Sequence, residues 1–109
     1  MFEREGNWRS MDPETAMRGV RADMGRKELI EVAYNARCGA ARRIALVWLN
    51  DPSISAAFAK RDPDPMVRRR LARSLRDRSV LEHILDSDDD ESVQEAAQKR
   101  LDELDAPQI

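Results

Sequence analysis

The stretch Asp62-Pro63-Asp64-Pro65-Met66-Val67-Arg68-Arg69-Arg70-Leu71-Ala72-Arg73-Ser74-Leu75 decides how the chain is read. Asp64-Pro65 is a helix start: the carboxylate can accept the first free N–H groups, and proline suits the first helical position. Val67, Leu71 and Leu75 then recur at the spacing of one helix face. The arginines fall between them, on the flanks and the far side.

The pattern repeats at a shift of 26 residues. Val67-Arg68-Arg69-Arg70-Leu71 aligns with Ala41-Arg42-Arg43-Ile44-Ala45 before it and Val93-Gln94-Glu95-Ala96-Ala97 after it. The preceding helices align as well, with Ile54, Phe58 and Ala59 on Val80, Ile84 and Leu85. Asp62-Pro63-Asp64-Pro65 falls on Asp88-Asp89-Asp90-Glu91. Only the middle copy is complete: Ala36 and Arg37 stand where Asp and Pro are expected in the first, and Gln94 replaces the arginine in the third. Repetition of this kind marks a stack of helix pairs, since one pair cannot bury both its faces.

The periodicity predicts seven helices, over about 13–24, 27–36, 40–50, 53–60, 65–76, 78–86 and 90–104, and no strand. Asp12, Asp51, Asp64 and Asp77 are expected N-caps, with Asp88 or Asp90 capping the last helix. The apolar stripe in the third helix is read as Ala41, Ile44, Ala45, Trp48 and Leu49. Residues 1–12 read as an N-terminal arm and 13–109 as a single domain, the segment around Ala16, Met17, Val20 and Met24 capping one end.

Composition narrows the function classes. Cys38 is the only cysteine and His83 the only histidine, so neither an internal disulfide nor a Cys/His metal centre is expected. The longest apolar run, Ile44 to Leu49, is too short for a membrane span, and Met1-Phe2-Glu3-Arg4-Glu5-Gly6 lacks the apolar core of a secretory leader. A cytoplasmic location is the expectation. The acidic run from Asp86 to Glu91 fails the calcium-loop pattern, with Glu91 where glycine is needed, and reads as helix-start acids. No cofactor and no catalytic constellation is expected.

Net charge is −2 but unevenly spread: residues 60–78 carry eight bases and three acids, residues 79–109 two bases and ten acids. With Val67, Leu71 and Leu75 inward, Arg69, Arg73 and Arg76 face outward, and Arg43 holds the position of Arg69 one period earlier. Such a stripe attracts an acidic protein segment or a phosphate backbone. A sequence pI near 5.5 and few aromatics favour the protein partner over nucleic acid. Leu46 and Val47 exceed one stripe and are a candidate apolar contact, for a partner or a second copy.

The quoted stretch resembles the D-x-d-x-x-V-R-x-x-A-x-x-x-L signature of HEAT-like repeats, and the short period is similar to leucine-rich-repeat-variant proteins. The likeness covers about residues 27 to 104. It implies an all-α, right-handed superhelix of about three helix pairs with an N-terminal capping helix. The V-R helices, about 40–50, 65–76 and 90–104, would line the concave face. It also implies a structural ladder between neighbouring repeats, carried here by Asp62 and Arg68. The function expected from the charged concave face is a non-catalytic adaptor or regulator that binds a protein.

Overall fold

Aspartate and proline set most helix starts, and the chain follows them closely. The computed structural model describes residues 6–106. Seven helices and no strand occur among them: α1 (Pro13–Arg18), α2 (Arg26–Asn35), α3 (Gly39–Leu49), α4 (Pro52–Arg61), α5 (Pro65–Ala72), α6 (Arg78–Ser87) and α7 (Glu91–Asp105). The Asp12, Asp64, Asp77 and Asp90 side chains accept N–H groups at the starts of α1, α5, α6 and α7. The all-α expectation therefore holds, and Asp90 rather than Asp88 caps α7.

Two helices are shorter than their periodicity predicts. α1 stops at Arg18 because the chain before it crosses its end. The Asn7 N–H donates to the Thr15 carbonyl at 3.0 Å. A Cβ added at Gly19 would meet the Trp8 nitrogen at 2.3 Å, so only glycine admits this crossing. Residues 6–12 of the expected arm thus have defined structure, and residues 1–5 lie outside the described residues. α5 stops at Ala72 because the next turn finds other partners. Ser74 Oγ donates to the Leu71 carbonyl, and Arg100 Nε reaches back from α7 to the Leu75 carbonyl at 2.7 Å.

The chain divides in sequence between Asp51 and Pro52 into two compact units. In the first, α2 pairs with α3 and α1 packs on α3, burying Ala16, Val32, Ala33, Ala41, Ala45 and Leu46. In the second, α4 pairs with α5 and α6 with α7. There α5 also packs against α7 and α4 against α6, giving two layers of two helices around Leu81, Ile84 and Val93. Alanines at 59, 72 and 97 are fully buried and let the backbones approach.

Three helix hairpins use one three-residue turn: Ala36-Arg37-Cys38, Asp62-Pro63-Asp64 and Asp88-Asp89-Asp90. The last residue of each is extended in the same way, at φ/ψ −91/125, −92/115 and −99/121 for Cys38, Asp64 and Asp90. One hydrogen bond recurs with them. Arg42 Nη1 donates to the Ala36 carbonyl at 2.9 Å, Arg68 Nη1 to the Asp62 carbonyl at 2.7 Å, and Gln94 Nε2 to the Asp88 carbonyl. Each side chain satisfies a carbonyl that the ending helix leaves without a partner. Asp62 and Asp88 also fold their own turns, each Oδ1 accepting the N–H two residues on at 2.9 Å.

Arg68 goes further than the ladder drawn from sequence. Its carboxylate partner is Asp88, one period beyond Asp62. Nε donates to Oδ2 at 2.9 Å and Nη2 to Oδ1 at 3.1 Å. Both side chains are nearly buried, at 13% and 5% exposure. A two-bonded pair held this far from water is costly to break on one side. At the surface, Arg26 with Asp51 and Arg78 with Asp105 tie the first helix of a hairpin to the end of its second.

Asp88→Ala strands the Arg68 guanidinium and is expected to lower unfolding free energy by about 3 kcal/mol. Asp89→Ala, at a side chain 98% exposed, is expected to cost under about 0.5 kcal/mol. Urea denaturation separates them, and equal losses would remove the ladder from the account. The caps generate a pH dependence. Hydroxyl hydrogen bonds from Thr15, Ser79 and Ser92 hold Asp12, Asp77 and Asp90 below the ordinary aspartate value, with help from backbone N–H groups. A folded pKa below the unfolded one gives stability that is full above about pH 4 and lost as pH falls further. Replacing all three by Asn keeps an acceptor but removes the titration, so Tm should fall less steeply below about pH 4. An unchanged slope would assign acid sensitivity to other carboxylates.

Candidate interaction surface

The arginine run of α5 is split by helical geometry. Successive residues are turned by roughly 100°, so Arg68 lies on the flank of the buried Val67–Leu71 edge and Arg69 and Arg70 lie beyond it. Arg68 is consumed by the fold. Arg70 and Arg73 are exposed, Arg69 is half-buried, and Met66 beside them is half-exposed. The Arg73 N–H donates to the Arg69 carbonyl, so the two stand one turn apart on one side. Among the described residues, Arg69, Arg70, Arg73 and Arg76 make no ion pair and no side-chain hydrogen bond. The Arg69 Nε is fully buried and without a partner.

Arg76 was expected on the same helix face. It lies past the end of α5, exposed in the connector to α6, because Ser74 takes the Leu71 carbonyl with its N–H and its hydroxyl. Arg70, which the stripe omitted, is on the exposed face instead. Met66 was also missed, although its place one turn before Arg70 follows from the same wheel. Asp88 was legible as the periodic equivalent of Asp62, but its pairing across the repeat was not drawn.

α3 carries the corresponding face of the first unit, and here the stripe is rotated. Ala41, Arg42, Ala45, Leu46 and Leu49 are buried, while Ile44 is only half-buried. Leu46 is 2% exposed and offers nothing to a partner. Trp48, expected inside, is 50% exposed, beside Val47 at 60%. Arg42 is buried here as well, its guanidinium reaching the Ala36 carbonyl. Val47 remains a surface apolar residue, joined by Trp48 and by half-buried Arg43 on α3.

Other singled-out residues are placed simply. Cys38 is a buried, free thiol at the N-cap of α3, where its side chain caps nothing. His83 is exposed on α6. Trp8 is half-buried with the Arg9 guanidinium 4.0 Å from its ring centre. Among the described residues no group of His, Cys, Asp and Glu could hold a metal ion, and no helix is long and apolar enough to cross a membrane. No protein-family model matches the chain, and no curated protein or solved structure is significantly similar to it.

A buried nitrogen without a partner costs stability, so the Arg69 Nε adds nothing favourable to the fold. Arg69→Met keeps the stem and removes that nitrogen. It is expected to leave Tm unchanged or to raise stability by up to about 1 kcal/mol. Arg73→Ala should change stability by less than about 0.5 kcal/mol. Thermal melts check both, and a clear loss with Arg69→Met would make Arg69 structural.

Proposed function

We propose that this chain is a non-catalytic protein-interaction module that takes an acidic segment of its partner on the exposed face of α5. The observation that carries the reading is the division within one arginine run. Arg68 serves the fold, while Arg69, Arg70 and Arg73 stand together without any acid and one of them at a cost to the fold. Partners with carboxylates fit such a face, and Met66 adds an apolar contact at its edge. The wider reading is a HEAT-like superhelix of about three helix pairs, its V-R helices forming the binding side, with α1 as a cap, Arg76 adding to the basic face of the second unit and Arg43 holding the place of Arg69 on α3. Three hairpins sharing one turn and one recurring side-chain-to-carbonyl bond support it. A buried, free Cys38 fits a reducing cytoplasm.

Fluorescence anisotropy with a glutamate-rich helical peptide at low salt tests the proposal. The chain is expected to bind it, and Arg69→Glu with Arg73→Glu to weaken binding at least about tenfold, the loss of some 1.4 kcal/mol. Arg18→Glu with Arg37→Glu, at two other exposed arginines, should leave it unchanged. Equal loss in both double variants would reduce the effect to net charge. Tighter binding to a DNA or RNA oligonucleotide, through the basic block of residues 60–78, would replace the protein partner by a phosphate backbone.

A further inference from the structure

Unpaired charge of both signs lies in one layer of the second unit. α5 and α7 pack side by side there, α5 presenting half-buried Arg69 and exposed Arg70 and Arg73. On α7, Glu91, Glu95 and Asp102 are exposed at i, i+4 and i+11, which keeps them within one narrow strip. Glu95 holds the periodic place of Arg69, so the two strips occupy corresponding sides of neighbouring helices. Among the described residues none of the six makes an ion pair; Asp102 accepts only the Gln98 amide, at 3.0 Å. Lys99 is the one exposed base beside the acidic strip.

We propose that this surface joins two copies of the chain across a two-fold axis, α5 of each copy lying on α7 of the other. An isologous contact requires a patch that complements itself. A basic strip beside an acidic strip is such a patch: a half-turn sets each arginine strip on the partner copy's carboxylates. Both half-contacts form at once, and Met66 enters at the edge of each. Exposed pairs are individually weak and screened by salt, so the dimer is salt-sensitive. The inference rests on the reading of the α5 face as a protein-docking surface, and it names the acidic partner as a second copy of this chain.

Sedimentation equilibrium on the full chain at about 0.05 M and about 0.5 M NaCl tests it, the two conditions differing strongly in screening. A dimer is expected at low salt, dissociating at high salt. Arg69→Glu with Arg73→Glu makes both strips acidic, and Glu95→Arg with Asp102→Arg makes both basic. Each double variant alone should be monomeric, and an equimolar mixture should restore the dimer as a heterodimer. Circular-dichroism melts verify that each is folded, and restoration on mixing is itself evidence of folding. A monomeric wild type at low salt, or a dimer that survives both charge reversals, overturns the proposal. If the wild type is monomeric but still binds the glutamate-rich peptide through Arg69 and Arg73, the self-association falls and the docking face stands.

Discussion

Arg68 holds together parts of the chain that nothing else in its neighbourhood ties so directly. Its Nη1 satisfies the carbonyl at the end of α4, and its other nitrogens grip Asp88 at the end of α6. A planar guanidinium fixes the direction of every bond it makes, which a lysine in the same place would not. The spacing between the two turns is therefore set by one side chain. Because α5 follows the first turn and α7 the second, that spacing also sets the register of α5 against α7. Val67 and Leu71 on α5 and Val93 and Ala97 on α7 are all buried where the two helices pack.

The same bond explains why the repeat tolerates departures from its own pattern. Arg42 and Gln94 keep the donation to the carbonyl six residues back, so their turns keep the shape. Gln94 is uncharged and short, yet the α6–α7 turn has the extended geometry of the other two. Cys38 replaces the capping aspartate, and α3 starts without a side-chain cap. What the turn needs is a donor for its carbonyl; the aspartates add to that and do not create it. The turn aspartates Asp62 and Asp88 have a second task, as each accepts the N–H that tightens its turn.

Much of this was legible in the sequence because it rests on local rules. The period, the seven helices and the capping role of Asp12, Asp64 and Asp77 follow from residue type and spacing, while a structural role for Arg68 was implied by the resemblance to HEAT-like repeats. The parts that escaped depend on side chains far apart in sequence. α5 loses its last turn where the Ser74 N–H and hydroxyl both take the Leu71 carbonyl, and Arg100 of α7 binds the Leu75 carbonyl beyond it. The buried stripe of α3 runs through Ala41, Ala45, Leu46 and Leu49, the places of the buried Val67, Leu71, Ala72 and Leu75 one period later, and Trp48 falls outside it as Ser74 does there. α1 ends where Gly19 gives passage to the backbone at Trp8, a contact between segments rather than a property of either. Of the candidate surface, Arg69 and Arg73 were legible and Arg70 was not, since the stripe was drawn through Arg76 on the premise of a longer helix.

The repeat fixes where a side chain stands but leaves its chemistry open, and this is where specificity can arise. Arg43, Ile44 and Val47 on α3 hold the places of Arg69, Arg70 and Arg73 on α5, and of Glu95, Ala96 and Lys99 on α7. One geometry thus carries a mainly apolar set, a basic set and a mixed one. The structural position is restricted to a side chain that can donate to the turn carbonyl, Arg42, Arg68 or Gln94. Positions one and two residues later carry no such duty, and the cost recorded at the Arg69 Nε is modest against the buried core around it. Near-neutral net charge is then the sum of opposed local faces, and the contact chemistry of each helix has to be read from its own exposed residues.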